Sequence, residues 1–110
     1  MDQVQDINFD EIIGSEELTV IDFSATWCIP CKMLKPIMER VAEKLTDVNF
    51  FNLDIDENEE IAKRYRIFSV PTLVCFRKGK RIDSLVGLCS FDEIVDFVNQ
   101  CAQVDVDAEN

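Results

Sequence analysis

The sequence has no histidine, and it uses few of the residues that bend a chain: three glycines and three prolines in 110 positions. Without histidine, a zinc site has to draw further ligands from cysteine, yet beyond Cys28 and Cys31 the remaining cysteines, at 75, 89 and 101, stand singly. The three glycines are isolated, so no glycine-rich loop can cradle a nucleotide, and no bound cofactor is expected. No apolar run approaches the roughly 18 residues that span a bilayer. The opening stretch Met1–Asp6 is acidic and lacks the apolar segment of a secretory signal. Basic residues are missing from 1–31 and from 82–110, each of which holds seven acids; all eleven lie between, against eight acids, for a net charge of −11. Such a field repels nucleic acid and anionic membranes, and neither is expected as a partner.

The chain is long enough for one domain with a real core, and 47% of it is apolar, which argues against disorder. Five cysteines are an odd number. Even with Cys28 paired to Cys31, three remain single, a pattern that suits a reducing compartment, so a soluble, cytoplasmic monomer is expected.

Hydrophobic periodicity alternates along the chain. A short strand is expected at Val4–Ile7, then a helix capped by Asn8, with Glu11 three residues on and Gly14 at its end. The run Thr19–Ser24 reads as a buried strand. After Cys31, Leu34, Ile37, Met38, Val41, Ala42 and Leu45 recur with helical period, and Pro36 should kink that helix. A strand from Val48 to about Ile55 follows. The next helix begins after Asp56, with acids in its first turn and Lys63 and Arg64 in its last. Thr72–Phe76 and Ile82–Val86 then make a hairpin around Gly79, which reads the basic cluster Arg77–Arg81 as a solvated turn that could weakly attract acidic partners. Ser90 and Glu93 form a capping box for a last helix striped with Phe91, Ile94, Val95, Val98, Cys101 and Ala102. The order β-α-β-α-β-α-β-β-α is that of a single α/β domain over residues 1–104, with an acidic, frayed tail at 105–110.

Cys28 and Cys31 sit where the second strand hands over to a helix. There Cys28 meets unpaired backbone N–H groups and the positive end of the helix dipole, which favour thiolate over thiol. Residues three apart on a first helical turn lie close enough for a disulfide. Asp22, within the apolar strand, is either on a wet face or buried at a cost; periodicity alone does not decide between them, because a strand covered on both faces is apolar throughout.

Trp27-Cys28-Ile29-Pro30-Cys31-Lys32 after a strand containing Asp, Pro36 five residues past the second cysteine, Val70-Pro71-Thr72 and a later Gly87 together resemble the thioredoxin family, in consistent order over about residues 3–102. The resemblance implies a central mixed five-stranded sheet flanked by four helices, and a protein-disulfide reductase cycling between dithiol and disulfide. It implies Cys28 as nucleophile, Cys31 as resolving thiol and Asp22 as proton acceptor and donor for Cys31. Trp27, Ile29, Pro30, Val70, Pro71, Gly87 and Leu88 would form the substrate surface, with the Val70–Pro71 bond cis. Expected partners are a thioredoxin reductase, using NADPH through a flavin or using ferredoxin, and disulfide-bearing proteins of the peroxiredoxin or reductase type. Two positions depart from the family pattern. Ile29 stands where glycine is usual, and Asn52 stands where a lysine near the Asp is common, so Asp22 should be harder to ionise. Cys75 and Cys101 are expected as buried small hydrophobes, and Cys89 nearer the substrate surface.

Overall fold

The computed structural model describes residues 1–108. Its elements, in chain order, are β1 (Asp2–Gln3), α1 (Phe9–Ile13), β2 (Thr19–Ser24), α2 (Ile29–Lys44), β3 (Asn49–Asp54), α3 (Glu59–Arg64), β4 (Thr72–Arg77), β5 (Lys80–Val86) and α4 (Phe91–Ala102), followed by a 3₁₀ turn at Val106–Ala108. The strands form one sheet in the order β1-β3-β2-β4-β5. β1, β3 and β2 run parallel; β4 is antiparallel to both β2 and β5. This is the mixed five-stranded sheet with four helices that the element order and the family resemblance imply.

Alternation along the central strands divides the core into two layers. Val20 of β2 and Leu73 and Cys75 of β4 join Leu34, Met38 and Val41 of α2 and Ile94, Val98 and Cys101 of α4 on one face. Ile21, Phe23, Val74 and Phe76 point the other way, against Phe9 and Ile13 of α1 and Ile61 of α3. β2 is therefore buried on both faces and reads as a continuous apolar run, so its sequence could not show which way Asp22 points. The register Val20↔Phe50 and Asp22↔Asn52 puts Asp22 and Asn52 side by side, on the face that α2 covers.

Three local expectations are corrected. The first strand ends at Gln3, and Ile7 is almost fully exposed, because the chain turns at Asp6–Asn8 and enters α1. Only the Val4 N–H still reaches back, to the Asn52 carbonyl at 2.9 Å. Asn8 sits at the N-cap of α1, but its Oδ1 accepts from the Gln5 N–H instead of capping the helix, and Gly14 ends α1 in right-handed α geometry. The tail is docked over its described part. Val106 is buried, Arg77 donates to the Ala102 and Val104 carbonyls, Lys80 donates to the Val106 carbonyl, and Lys78 pairs with Asp107. The basic turn thus supplies the cations that an acidic segment needs nearby; the end of that tail, Glu109 and Asn110, lies outside the described residues.

The other boundaries lie close to those the pattern predicts. The turn of the β4–β5 hairpin is Lys78–Gly79, both with positive φ (54° and 79°), the geometry whose twist matches paired strands and which glycine adopts without strain. The Ser90–Glu93 capping box is formed in both directions. α2 continues through Pro36.

Candidate active site

Cys28 is the N-cap residue of α2. Its backbone is extended (φ −90°, ψ 111°), and its Sγ accepts the Cys31 N–H at 3.2 Å, the bond a Ser or Asp side chain makes at an ordinary helix start. Pro30, at the second helical position, has no N–H to leave unpaired. Cys28 and Cys31 are disulfide-bonded, with Cα atoms 5.3 Å apart. Both residues are buried, at 4% and 8% exposure, so residue burial does not make Cys31 the deeper of the two. What separates them is direction. Cys28 Sγ lies 3.7 Å from the Val70 carbonyl oxygen, whereas Cys31 lines a cavity of about 550 Å³ together with Asp22, Ser24, Asn52 and Lys35.

Asp22 is 3% exposed and its Oδ1 has no hydrogen-bond partner among the described residues. Burial raises its pKa from 3.8 to about 7, with the neighbouring Asn52 side chain offsetting part of the rise. Asn52 and Ser24 also bond each other: Asn52 Nδ2 donates to Ser24 Oγ at 2.9 Å, and the Ser24 hydroxyl lies 3.2 Å from Asn52 Oδ1. The amide is therefore held beside the carboxyl without supplying a charge. The sequence reading reached both Asp22 and Asn52 but not Ser24, whose only signal is its period-2 relation to Asp22 on β2.

The surface residues gather around Cys28 from three segments. Trp27 and Ile29, the residues either side of Cys28, are 65% and 68% exposed. Val70–Pro71 is cis. Gly87, with φ 95°, donates its N–H to the Pro71 carbonyl at 2.8 Å and ends β5 beside this loop, with the exposed Leu88 next to it. Pro30 is exposed at the helix start. One contributor escaped the sequence reading. Asp56 accepts the Trp27 indole N–H at 2.8 Å, fixing the ring, and its signal was its place just beyond β3, at the same end of the sheet as Trp27 beyond the parallel β2. Phe68, two residues before Val70, and Met33, on the first turns of α2, are both exposed large apolar side chains. Among the described residues, no group of three or more Cys, Asp or Glu side chains is arranged to hold a metal ion.

A family model described as Thioredoxin matches residues 1–100. Thioredoxin H2 of Arabidopsis thaliana is 42% identical over 81 residues, covering 74% of this chain and 61% of that protein. The thioredoxin of Chlamydia pneumoniae is 40% identical over 95 residues, 86% of this chain and 92% of that protein. Among solved structures, Plasmodium falciparum thioredoxin superposes with a TM-score of 0.85 at 31% identity, covering 91% of this chain and 98% of that one.

Proposed function

The chain belongs to the thioredoxin family and is a protein-disulfide oxidoreductase with a redox-active Cys28–Cys31 pair, and from that premise we propose how its residues divide the reaction. Cys28 is the nucleophile. In the reduced form its thiolate attacks one sulfur of a substrate disulfide, the substrate S–S bond breaks, and a mixed disulfide forms as the other substrate thiolate leaves. Cys31 then gives its proton to Asp22 and attacks the Cys28 sulfur, restoring the Cys28–Cys31 bond and releasing the second substrate sulfur as a thiolate, to which Asp22 can return the proton. A carboxyl near pKa 7 exchanges a proton readily at neutral pH.

The observation that carries this reading is the N-cap bond from the Cys31 N–H to Cys28 Sγ. A backbone donor at the positive end of a helix stabilises sulfur as the anion, and the same helix start holds the second sulfur within disulfide reach. Trp27, Ile29, Pro30, Val70, Pro71, Gly87 and Leu88 bind the substrate. The Val70 carbonyl, beside Cys28, offers a backbone acceptor to an extended partner strand, and the apolar side chains cover it.

Substrates are disulfide-bearing proteins. The oxidised pair is returned to dithiol by a thioredoxin reductase, and the compartment is a reducing one such as the cytoplasm, in keeping with three unpaired cysteines. Among the described residues, no helix is long and apolar enough to cross a membrane.

Cys28→Ser should abolish reduction of a protein disulfide under dithiothreitol or reductase turnover. Cys31→Ser should instead accumulate a mixed disulfide at Cys28, detected by mass. A Cys28→Ser variant that keeps its activity, or a Cys31→Ser variant that traps nothing on Cys28, overturns the assignment.

A further inference from the structure

Ser24 has no place in the reaction above, yet it ends β2 on the face that carries Asp22, two residues on. Asn52 of β3 stands directly opposite Asp22, one strand spacing of roughly 4.8 Å away across the parallel ladder. The Asn52 amide is nonetheless turned along the strand, to the serine. Its Nδ2 donates to Ser24 Oγ at 2.9 Å, and its Oδ1 lies 3.2 Å from the same hydroxyl. Asp22 Oδ1, buried beside them, has no hydrogen-bond partner among the described residues. Both backbones are pinned: the Ser24 carbonyl accepts the Ile55 N–H at 3.0 Å, and the Asn52 carbonyl accepts the Val4 N–H at 2.9 Å. Only the side chains are left to adjust.

We propose that Ser24 is a positioning residue, a role that rests on the Asp22 assignment above: by holding the Asn52 amide to itself, it keeps that donor from the Asp22 oxygen that lacks one. A general base must hold a proton as well as release it. Each hydrogen bond donated to a carboxylate stabilises the anion and so weakens it as a base. With Ser24 engaged, Asn52 offsets only part of the rise that burial imposes, and Asp22 titrates at about 7. An amide released from Ser24 would turn its N–H groups to the nearest unpaired acceptor, the Asp22 carboxylate. Asp22 would then be a weaker base toward the Cys31 thiol.

The other ionisable groups around the cavity do not compete for the carboxyl. Lys32, Lys35 and Glu39 of α2, together with Glu57 and the amino end at Met1, are exposed, where water screens them. Asp54, at the end of β3, is half-buried, and its Oδ1 accepts the Asp56 N–H. Neither ion pair among the described residues involves Asp22. On its other side, β4 pairs the apolar Leu73 with Asp22. Cys31 shares the cavity, with its sulfur held in the disulfide.

The test is an NMR titration of the Asp22 carboxyl in the oxidised full chain, where the disulfide keeps Cys31 from titrating. Ser24→Ala should lower the Asp22 pKa by about one pH unit, the effect of one hydrogen bond to a charged group. Ser24→Thr keeps the hydroxyl and should restore the native titration. In an Asn52→Leu background, which has no amide to release, Ser24→Ala should change nothing. An unmoved or raised pKa in Ser24→Ala, a Ser24→Thr variant that behaves like Ser24→Ala, or a fall that persists with Asn52→Leu each overturns the proposal. The acid limb of single-turnover protein-disulfide reduction should move down with the carboxyl. A carboxyl that moves while the rate profile stays supports the hold of Ser24 on the amide and overturns the Asp22 assignment instead.

Discussion

Burial carries the Asp22 carboxyl from 3.8 to about 7, and a shift of that size is also a statement about stability. The unfolded chain releases this proton near pH 4, while the folded chain keeps it until about pH 7. Between those values the folded state holds more protons, so Asp22 makes stability fall as pH rises, with the full penalty present above about pH 7. At about 1.4 kcal/mol per pKa unit the penalty is on the order of 4 kcal/mol. Asp22→Asn should therefore stabilise the fold by a few kcal/mol at pH 8 and by almost nothing at pH 4, as read by urea unfolding at the two pH values. The same substitution should slow protein-disulfide reduction, roughly a hundredfold if Asp22 serves as general base. Unchanged turnover removes Asp22 from the proton path. Asn52→Lys should bring the Asp22 pKa down, since a cation favours the carboxylate where the amide only donates a hydrogen bond; NMR titration of the carboxyl measures it. The identity of these residues was legible in the chain. Their environment was not, because nothing in a two-sided apolar strand marks which face α2 will cover.

Among the elements, α2 was the most legible and the two ends of the chain the least. The start of α2 is fixed by local chemistry: an extended N-cap residue with an acceptor side chain, then a proline whose missing N–H costs nothing there. β1 has no such signal. It is two residues long, and its placement depends on a long-range pairing with β3. The tail illustrates the same limit, since its composition suggests fraying, while the basic turn of the β4–β5 hairpin, brought close by the fold, holds it. Truncation after Gln103 should lower stability by about 2 kcal/mol, most of it from the buried Val106 side chain. Val106→Ala should reproduce more than half of that loss in denaturant unfolding. Lys78→Ala should barely register, because the Lys78–Asp107 pair is exposed and water screens it. A truncation without effect would mean that the docked tail contributes nothing to the folded state.

For the molecule as a whole, charge and the apolar face act on different aspects of partner choice. A net charge of −11 biases encounter from a distance. Turnover of an acid-rich protein disulfide should rise as salt shortens the Debye length from about 30 Å to about 8 Å, whereas a basic substrate should show the reverse. Equal salt dependence for both would leave the field without a role. At contact, the exposed Ile29 beside Cys28 enlarges the apolar rim. Ile29→Gly should lower kcat/KM severalfold for disulfides flanked by large apolar side chains, and change little for those flanked by polar ones. The same loss across all substrates would assign Ile29 to the reactivity of the pair instead.

By itself the sequence determined the alternation of strands and helices, the hairpin turn at Gly79, the capping box at Ser90 and the location of the cysteine pair at a strand-to-helix junction. These rest on interactions within a few residues, whose geometry a local pattern encodes. Tertiary structure alone decided that Asp22 and Cys31 share one cavity, that Trp27 is held by Asp56 and that the tail lies on the basic turn. Each of those joins segments far apart in the chain, and such contacts exist only once the sheet order and the two core layers have put the segments side by side.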